Sequence, residues 1–462
     1  MGTKWLTAPL SNFYSVPSRN GLTKPKSIRG EGYKFINMGE IFAHGRMLNI
    51  KCDRVPANEK ELESSLLKSG DLLFARQSLV LSGAGKCSIF LGDDEPTLFE
   101  SHLIRVRPNQ EIISPEYLYY YFNSPIGRAE IWSITEQGAG QAGIRGSDLA
   151  TVNVHYPSLL EQKKIASIFS SLDDKIELNR RMNSTLEAMA QALFKSWFVD
   201  FDPVIDNALA AGNPVPEPLL AGAESRKALG DQRKSLPEDL QQQFPNSFVL
   251  TDEMGWVPDG WNVGPIQKIA DLNPESWSSK NFPQSIKYVD LANTKNGKVD
   301  SVTIYSDQDA PSRAKRILRK FDTIIGTVRP GNRSFAYVNQ DGLTGSTGFA
   351  VMRPKVMSNR TFVYLFLTQD DVIDTLAHLA DGGAYPAVRP EVVANQICTY
   401  PAINLLEAFD KLVSPFFQSI AEQQFQCDSL SNIRNTLIPK LLSGELRVPE
   451  VASIIDKQLA EA

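Results

Sequence analysis

The sequence predicts an α+β fold in which two modules of mixed α/β structure are joined by two long antiparallel, coiled-coil helices. Three observations support this fold class. The chain repeats itself once at an offset of 244 residues, as from Tyr156 to Tyr400. Short strand-like segments precede each copy of a shared Tyr-Pro dipeptide. A heptad-like seam about 40 residues long then follows each dipeptide. We therefore expect an internal pseudo-twofold repeat.

The repeat extends over loops as well as helices. The aligned pairs are Gly138-Ala139-Gly140 with Gly382-Gly383-Ala384, Ile144-Arg145 with Val388-Arg389, Ala150 with Ala394, and Tyr156-Pro157 with Tyr400-Pro401. Two copies of a module followed by a long helix suit a ligand that has two parts. The alternative is a gene duplication that stabilises the fold and carries no information about a ligand.

Composition places the chain among globular proteins. Its 462 residues are enough for two to four domains, and 42% hydrophobic with 22% charged residues are ordinary values. No apolar run is long enough to suggest a membrane span, and the N-terminus does not resemble a signal peptide. The four cysteines are scattered, which argues against a zinc site and favours a cytoplasmic location.

The net charge of −5 is unevenly distributed. Residues 1–157 carry +1 and residues 261–401 carry +3, whereas residues 158–260 carry −6 and residues 402–462 carry −3. Contact with phosphate needs a local basic face rather than a basic total. The two modules are therefore compatible with nucleic-acid binding although the whole chain is acidic.

The first module is predicted to contain short strands around Leu72–Phe74 and Leu103–Val106. Pro115 to Phe122 reads as a helix, with Ser114 as its N-cap and proline at its first position. A glycine-rich turn is expected from Gly138 to Gly146. A final strand should then run from Val152 to Pro157.

The first long helix has a seam whose positions alternate steps of four and three residues. These positions are Ile165, Phe169, Leu172, Ile176, Asn179, Asn183, Leu186, Ala190, Leu193 and Trp197. The two asparagines predict polar layers, which cost stability but fix register and partner. About 40 residues at ~1.5 Å per residue would give a rod of ~60 Å.

Residues 201–255 are predicted to be a linker. Phe201-Asp202-Pro203 should stop the first helix, and a short polar surface helix is expected between Ser225 and Gln243. The second module, from Trp256 to Pro401, repeats the strand pattern at Thr323–Arg329 and Phe349–Pro354.

The second long helix is predicted from Leu405 to Leu442, with Gly444 as its C-cap. Its seam positions are Phe409, Val413, Phe416, Ile420, Gln423, Cys427, Leu430, Leu437 and Leu441. Because Pro415 lies inside this helix, we expect a kink or a break there.

Motifs for catalysis were sought and not found. Gly83-Ala84-Gly85-Lys86-Cys87 lacks the spacing of a phosphate-binding loop. The sequence has no Gly-x-Ser-x-Gly elbow, no His-Glu-x-x-His motif, no Asn/Asp-Pro-Pro-aromatic tetrapeptide and no dinucleotide fingerprint. These observations disfavour an enzyme.

The remaining candidates are residues suited to bind DNA. Arginine can hold phosphate or pair with guanine, and glutamine can pair with adenine. The candidates are Arg76, Gln77, Ser78, Gln141 and Arg145 in the first module and Arg313, Lys315, Arg316, Arg319, Arg329, Arg333, Tyr385 and Arg389 in the second. The alternative is that the cations are a solvated charge run. For Arg145 and Arg389, the alternative is that each holds its module on its helix.

The helical segments resemble the conserved regions of type I restriction-modification specificity subunits. The resemblance rests on Leu160–Ala166, Leu172–Asn179, Phe194–Pro203 and Leu437–Leu446, together with Pro258-Asp259-Gly260-Trp261. It covers essentially the whole chain. The modules vary widely within this family, so the resemblance does not indicate a target sequence.

The resemblance implies a non-catalytic subunit that binds double-stranded DNA. Each target-recognition domain would read one half of a bipartite, asymmetric site. The chain itself would need no cofactor. Two methyltransferase subunits, docked on the helices and their seams, would use S-adenosylmethionine, and two restriction subunits would use ATP and Mg²⁺. Cys427, at the seam position where the first helix has Asn183, departs from a symmetric docking surface.

The implied organisation is as follows: target-recognition domain 1 at 1–157, a central helix at 158–200, a linker at 201–255, target-recognition domain 2 at 256–401, a C-terminal helix at 402–446 and a tail at 447–462. Two other functions remain open at this point. One is a nuclease or methyltransferase with unrecognised motifs, and the other is a coiled-coil adaptor that does not bind DNA.

Overall fold

A computed structural model describes residues 5–138, 140–230, 236–381, 383 and 385–451. The aligned residues Ala139, Gly382 and Ala384 lie outside these ranges, as does part of the helix expected between Ser225 and Gln243. The chain forms two compact units. Unit 1 combines the residues up to Arg180 with those from Gln424 onward, and unit 2 comprises Arg181–Gln423.

Unit 1 contains short strands and helices followed by the first half of a long helix. The strands are β1 (Leu6–Pro9), β2 (Tyr14–Asn20), β3 (Tyr33–Ile36), β4 (Arg46–Leu48), β5 (Asp53–Val55), β6 (Asp71–Ala75), β7 (Gln77–Ser78), β8 (Cys87–Gly92), β9 (Thr97–Phe99), β10 (Leu103–Pro108), β11 (Glu136–Gly138), β12 (Gln141–Gly143) and β13 (Asn153–Tyr156). The helices are α1 (Met38–Ala43), α2 (Glu59–Ser65), α3 (Pro115–Asn123), α4 (Pro125–Ser133), α5 (Gly146–Thr151) and α6 (Leu159–Phe198), which continues into unit 2.

Unit 2 repeats this plan and adds a helical insertion. Its helices are α7 (Asp202–Ala211), α8 (Leu220–Leu229), α9 (Glu238–Gln241), α10 (Arg360–Leu367), α11 (Asp370–His378), α12 (Pro390–Ala394) and α13 (Ile403–Ser443), which continues into unit 1. Its strands are β14 (Phe248–Thr251), β15 (Gly255–Pro258), β16 (Asn262–Pro265), β17 (Ala270–Leu272), β18 (Ser285–Val289), β19 (Thr294–Lys295), β20 (Lys298–Val299), β21 (Thr303–Ser306), β22 (Ala314–Leu318), β23 (Thr323–Gly326), β24 (Phe335–Tyr337), β25 (Leu343–Ser346), β26 (Phe349–Pro354) and β27 (Ile397–Tyr400).

The sheet order confirms the predicted internal repeat. The main sheet of unit 1 has the order β2-β10-β6-β8-β4, and that of unit 2 has the order β17-β26-β23-β24. Each unit also has a second sheet with one parallel pair, β3 with β9 and β18 with β25. A two-stranded sheet precedes each long helix, made by β1 with β13 and by β16 with β27. The α+β fold class predicted from sequence is therefore correct.

A buried arginine–aspartate pair occurs at the same place in both main sheets. In unit 1, Arg107 donates from Nε and Nη2 to the two carboxylate oxygens of Asp71, both at 2.7 Å. In unit 2, Arg353 makes the same two bonds to Asp322, at 2.8 and 2.9 Å. Both aspartates are 0% exposed. Two parallel charge-assisted bonds of this kind fix the position of strand β10 against β6, and of β26 against β23.

The local predictions for the first module agree with the structure. Helix α3 begins after Ser114, whose side chain accepts a hydrogen bond from the Tyr117 N–H, as an N-cap should. The expected strands appear as β6, β10 and β13. The glycine-rich segment is the tip of the β11–β12 hairpin together with the start of α5.

The two long helices pair antiparallel within unit 1. Asp173 contacts Arg434, the Ile176 carbonyl accepts from Cys427 Sγ at 3.6 Å, and Asn179 Nδ2 donates to Gln426 at 3.2 Å. Residue numbers rise along one helix as they fall along the other, which is the antiparallel arrangement. The Asn179 polar layer predicted from the seam is therefore buried and satisfied.

Aromatic packing secures the other halves of the helices in unit 2. Phe409 is 0% exposed, and its ring centroid lies 4.8 Å from that of Phe198, 5.4 Å from that of Trp197 and 6.1 Å from that of Phe194. The seam rule predicted Trp197 and Phe409 but missed Phe194 and Phe198. These two rings lie off the seam because α10 of the module also packs here, through Phe362.

Two expectations are corrected. Helix α13 runs unbroken through Pro415, so the expected break is wrong. Pro415 is exposed, whereas its neighbours Val413 and Phe417 are buried, and their burial offsets the hydrogen bond that proline cannot make. The segment 201–255 is not an extended connection, because it contains α7, α8, α9 and the β14–β15 hairpin, and Phe244 within it is buried in the unit 2 core.

Candidate nucleic-acid interface

In unit 1, a short strand brings several predicted residues together at one end of the main sheet. Strand β7 follows β6 directly and pairs with β12, with Ser78 opposite Ala142 and Gln77 opposite Gly143. The Arg76 carbonyl accepts from the Ile144 N–H at 2.9 Å, which anchors the β11–β12 hairpin. We call Arg76, Gln77, Ser78 and Gln141 the first polar edge. The Arg76 side chain is exposed and has no hydrogen-bond or ion-pair partner among the described residues.

A pocket of about 350 Å³ opens at the first polar edge. Its lining includes Gln77, Ser78 and Gln141 from the edge, and Met38, Phe42 and Leu79 on an apolar side. His102 completes the lining. Sequence reasoning missed Met38 and Phe42, because they come from α1, 35 residues or more before Gln77, and no periodicity links the two segments.

Helix α1 is held beside this pocket by a lysine. Lys86 Nζ donates to the Phe42 carbonyl at 3.2 Å and lies 5.1 Å from the centre of the Phe42 ring. Burial lowers the pKa of Lys86, and the nearby Arg128 lowers it further. The cation–π contact keeps the Phe42 ring fixed although its side chain remains 43% exposed.

Arg145 lies at the base of the same hairpin. Its Nη2 donates to Glu136 at 2.8 Å across the hairpin, and both side chains are more than 60% exposed. Its carbonyl accepts the Leu149 N–H at 3.0 Å at the start of α5. Its guanidinium therefore pairs with the hairpin, whereas the alternative expected from the sequence was a contact with the long helix.

Unit 2 has an equivalent edge with different side chains. The Val388 N–H donates to the Thr327 carbonyl at 2.9 Å, which is the same bond as that from Ile144 to Arg76 in unit 1. Arg329 therefore takes the place of Ser78, and Tyr385 takes the place of Gln141. The Arg329 guanidinium carbon lies 4.7 Å from the centre of the Tyr385 ring, which is 71% exposed. We call Arg329 and Tyr385 the second polar edge.

The cation run around β22 divides into two groups. Arg313 and Lys315 are exposed, and their side chains have no partner among the described residues. Arg319, by contrast, donates to both oxygens of Glu275 at 3.0 and 3.1 Å, and Arg353 bonds the same carboxylate. These bonds lower the pKa of Glu275 to about 2, so Arg319 is already neutralised. Only part of the predicted run is thus available to phosphate.

The remaining candidates of unit 2 lie in three settings. Arg316 donates from Nη1 to Ser276 Oγ at 3.2 Å, and its buried Nε has no partner in the described part of the chain. Arg333 has a left-handed backbone conformation, with φ of +59°, and pairs with Asp370 at 2.6 Å. Arg389 is exposed and precedes α12. Arg316 and Arg333 therefore have structural partners already.

The seam residues proposed for partner docking form the interior of the helix pair. Most are buried within their own unit, and the rest are half-buried. The buried ones are Ile165, Phe169, Leu172, Ile176, Asn179, Phe409, Val413, Gln423, Leu430 and Leu437, and the half-buried ones are Asn183, Leu186, Phe416 and Ile420. A buried side chain cannot at the same time contact another subunit. The large apolar side chains exposed on the described parts of these helices are Leu160, Leu178, Met182, Met189, Ile403, Leu412 and Phe425.

The described part of the chain contains no helix that is both long and apolar enough to cross a membrane. It also contains no group of three or more His, Cys, Asp or Glu side chains that is suited to a metal ion.

The fold and the two polar edges define a protein with a duplicated α+β module, each copy followed by a long helix. Residues 5–188 match the family model described as the type I restriction modification DNA specificity domain. The specificity subunit of the type I restriction enzyme HindI from Haemophilus influenzae is 27% identical over 453 residues, which cover 89% of this chain and 94% of the relative. The MjaIX specificity subunit from Methanocaldococcus jannaschii is 25% identical, over 86% of this chain and 84% of the relative.

A solved structure has the same fold. The S subunit of the type I restriction-modification system from M. genitalium superposes with a TM-score of 0.51 at 15% identity, over 95% of this chain and 96% of that one. The comparisons therefore confirm the predicted resemblance: the chain is similar over most of its length to specificity subunits of type I restriction enzymes. The prediction of a non-catalytic subunit agrees with what these relatives are.

Proposed function

We propose that each module of this specificity subunit binds double-stranded DNA through its polar edge and reads one half of a bipartite, asymmetric site. The observation that carries the proposal is the duplication of one backbone frame with different side chains. Ser78 and Gln141 stand in unit 1 where Arg329 and Tyr385 stand in unit 2. Two identical frames with different hydrogen-bonding groups are suited to two different half-sites.

The geometry of the first polar edge supports contact with base edges. The β11–β12 hairpin is extended on one side by β7 into a small three-stranded sheet, and strands are among the elements that read base edges in DNA grooves. Glutamine and arginine side chains are the ones that discriminate adenine and guanine there. Exposed cations of unit 2, such as Arg313 and Lys315, are suited to phosphate.

The assembly of the system is part of the same proposal. The long helices set the spacing between the two half-sites and dock two methyltransferase subunits, and two restriction subunits complete the enzyme. Because the seam is buried, docking uses the outer helix faces, where Leu178, Met189 and Phe425 are 51%, 47% and 58% exposed. S-adenosylmethionine, ATP and Mg²⁺ are used by the partner subunits, and this chain needs no cofactor of its own.

Substitutions of two classes of arginine should separate base contact from phosphate contact. We expect Arg76→Ala and Arg329→Ala to weaken specific binding by roughly 1–3 kcal/mol and to weaken nonspecific binding less. Arg313→Ala should weaken specific and nonspecific binding equally. It should also reduce the slope of log affinity against log salt concentration by about 1, as expected for the loss of one phosphate contact. The measurement is a titration of the chain, copurified with its methyltransferase partner, against specific and random duplexes at several salt concentrations.

Arg319→Ala is the matched control, because Glu275 already neutralises that guanidinium. It should change neither binding nor salt slope. If the wild-type complex binds no DNA even at low salt, the coiled-coil adaptor without DNA binding becomes the better account. If Arg76→Ala and Arg329→Ala weaken binding to specific and random DNA equally, both arginines contact phosphates and not bases.

A further inference from the structure

We infer that the pocket at the first polar edge is the reader of one A·T base pair, with glutamine amides on the adenine and an apolar wall on the thymine methyl group. This inference rests on the proposed DNA-binding function and names the base pair that unit 1 recognises. It follows from which side chains share one face of the β7–β12 pair, and from the apolar side chains that line the same pocket.

Register places the two glutamines on the same face. Gln77 lies opposite Gly143, and Gln141 lies two residues from Gly143 on the same strand. Because side chains alternate along a strand, Gln77 and Gln141 point to one side as diagonal neighbours. Both line the pocket, and neither amide has a hydrogen-bond partner among the described residues. Each carries the donor and acceptor that pair with adenine N7 and N6 in the major groove.

The same pocket has three apolar lining residues. They are Met38, Phe42 and Leu79, and Leu79 is 81% exposed. Such side chains match the one apolar group in the major groove, which is the C5-methyl group of thymine. The cation–π contact with Lys86 holds the Phe42 ring in place before any ligand arrives.

The combination of groups distinguishes A·T from the other base pairs. Among the described residues that line this pocket there is no arginine, lysine or carboxylate, and His102 is the one titratable side chain. Guanine is most often read by arginine or lysine, and the amino donor of cytosine would suit a carboxylate. Two amides beside an apolar wall therefore match adenine paired with thymine.

The test uses the chain with its methyltransferase partner and DNA duplexes that carry the methylated motif of this complex. In the half controlled by unit 1, one A·T pair outside the methylated adenine is modified in two ways. Replacing thymine by deoxyuridine removes only the methyl group, and 7-deazaadenine removes only the N7 acceptor. We expect about fourfold weaker binding for the loss of one buried methyl group. Loss of a bidentate amide contact should weaken binding roughly 5- to 100-fold.

Protein variants combined with these base analogues complete two double-mutant cycles, one for the thymine methyl group and one for adenine N7. In Phe42→Ala, deoxyuridine should no longer weaken binding, because the methyl group has lost its partner. One adenine offers N7 and a single free N6–H in the major groove, so one of the two amides makes the bidentate contact. In whichever of Gln77→Ala and Gln141→Ala removes that amide, 7-deazaadenine should have no further effect, and methylation should spread to other bases at that one position. Gln137→Ala is the matched control, since Gln137 pairs with Ala142 and lies on the opposite face of the same hairpin.

Two outcomes would overturn the inference while leaving the proposed function intact. One is a unit 1 half-site without any A·T pair outside the methylated adenine. The other is full sensitivity to both base analogues in all three variants. Failure of the proposed function looks different, because the wild-type complex would then show no sequence-specific binding or methylation before any variant is made.

Discussion

Ile176→Asp is expected to destabilise unit 1 by about 3–5 kcal/mol, because it places an unpaired charge inside the helix pair. Ile176 is 3% exposed and belongs to a core that includes Leu172, Cys427 and Leu430. Hydrogen exchange of the full-length chain measures the effect locally, in the amides of 159–180. A local measurement is preferable because two units need not unfold in one step.

Leu178→Asp is the matched control for this change. Leu178 lies two residues further along the same helix and is 51% exposed. We expect it to change the stability of the isolated chain by no more than about 0.5 kcal/mol. If the amides of 159–180 are equally protected from exchange in Ile176→Asp and Leu178→Asp, the assignment of the seam as the interior of the helix pair is wrong.

Asp71→Ala should have the second large effect. We expect it to lower the free energy of unfolding of unit 1 by about 3–5 kcal/mol, because it leaves Arg107 without the carboxylate that binds it. Asp322→Ala should cost less in unit 2, although the two pairs have the same geometry. The reason is Glu275, a second carboxylate that already bonds Arg353 and remains after the substitution. Hydrogen exchange in β6 and β23 reports the two losses separately.

An exposed ion pair provides the reference for these buried ones. Glu136→Ala removes the partner of Arg145, and both side chains are largely in solvent. Surface pairs contribute about 0–1 kcal/mol, so little change is expected. A larger loss for Asp322→Ala than for Asp71→Ala would contradict the role given to Glu275.

The features that the sequence predicted well are those with periodicity or local chemistry. The seams through Phe169 and Phe409 follow from heptad spacing, and the start of α3 follows from Ser114 and Pro115. Both signals depend on residues within a few turns of one another. The repeat was visible because the hairpins and helices of the two copies keep a single offset.

The features that it missed depend on distant contacts. Asp71 and Arg107 are far apart in sequence and have no shared pattern, and the loops between the matching strands differ in length in unit 2, so a single offset does not align Asp71 with Asp322. The apolar wall of the pocket, formed by Met38 and Phe42, is brought to the polar edge by tertiary packing alone. The break expected at Pro415 does not occur, because local propensity yields to the packing of buried neighbours.

The seam also illustrates how one pattern supports two interpretations. A heptad stripe predicts a buried interface, but it does not say whether the partner is another subunit or a second helix of the same chain. Here the partner of Asn179 is Gln426, from the same chain. The residues left for other subunits, such as Phe425, have no periodic signal of their own.

The most direct test of the central claim is sequencing of adenine methylation in cells that express the methyltransferase partner with or without this chain. We predict methylation at one bipartite motif, present only when the chain is expressed. Arg76→Ala should relax one half of that motif, and Arg329→Ala should relax the other half. An active methyltransferase whose methylation pattern is the same without this chain would contradict the account, as would a single variant that alters both halves together.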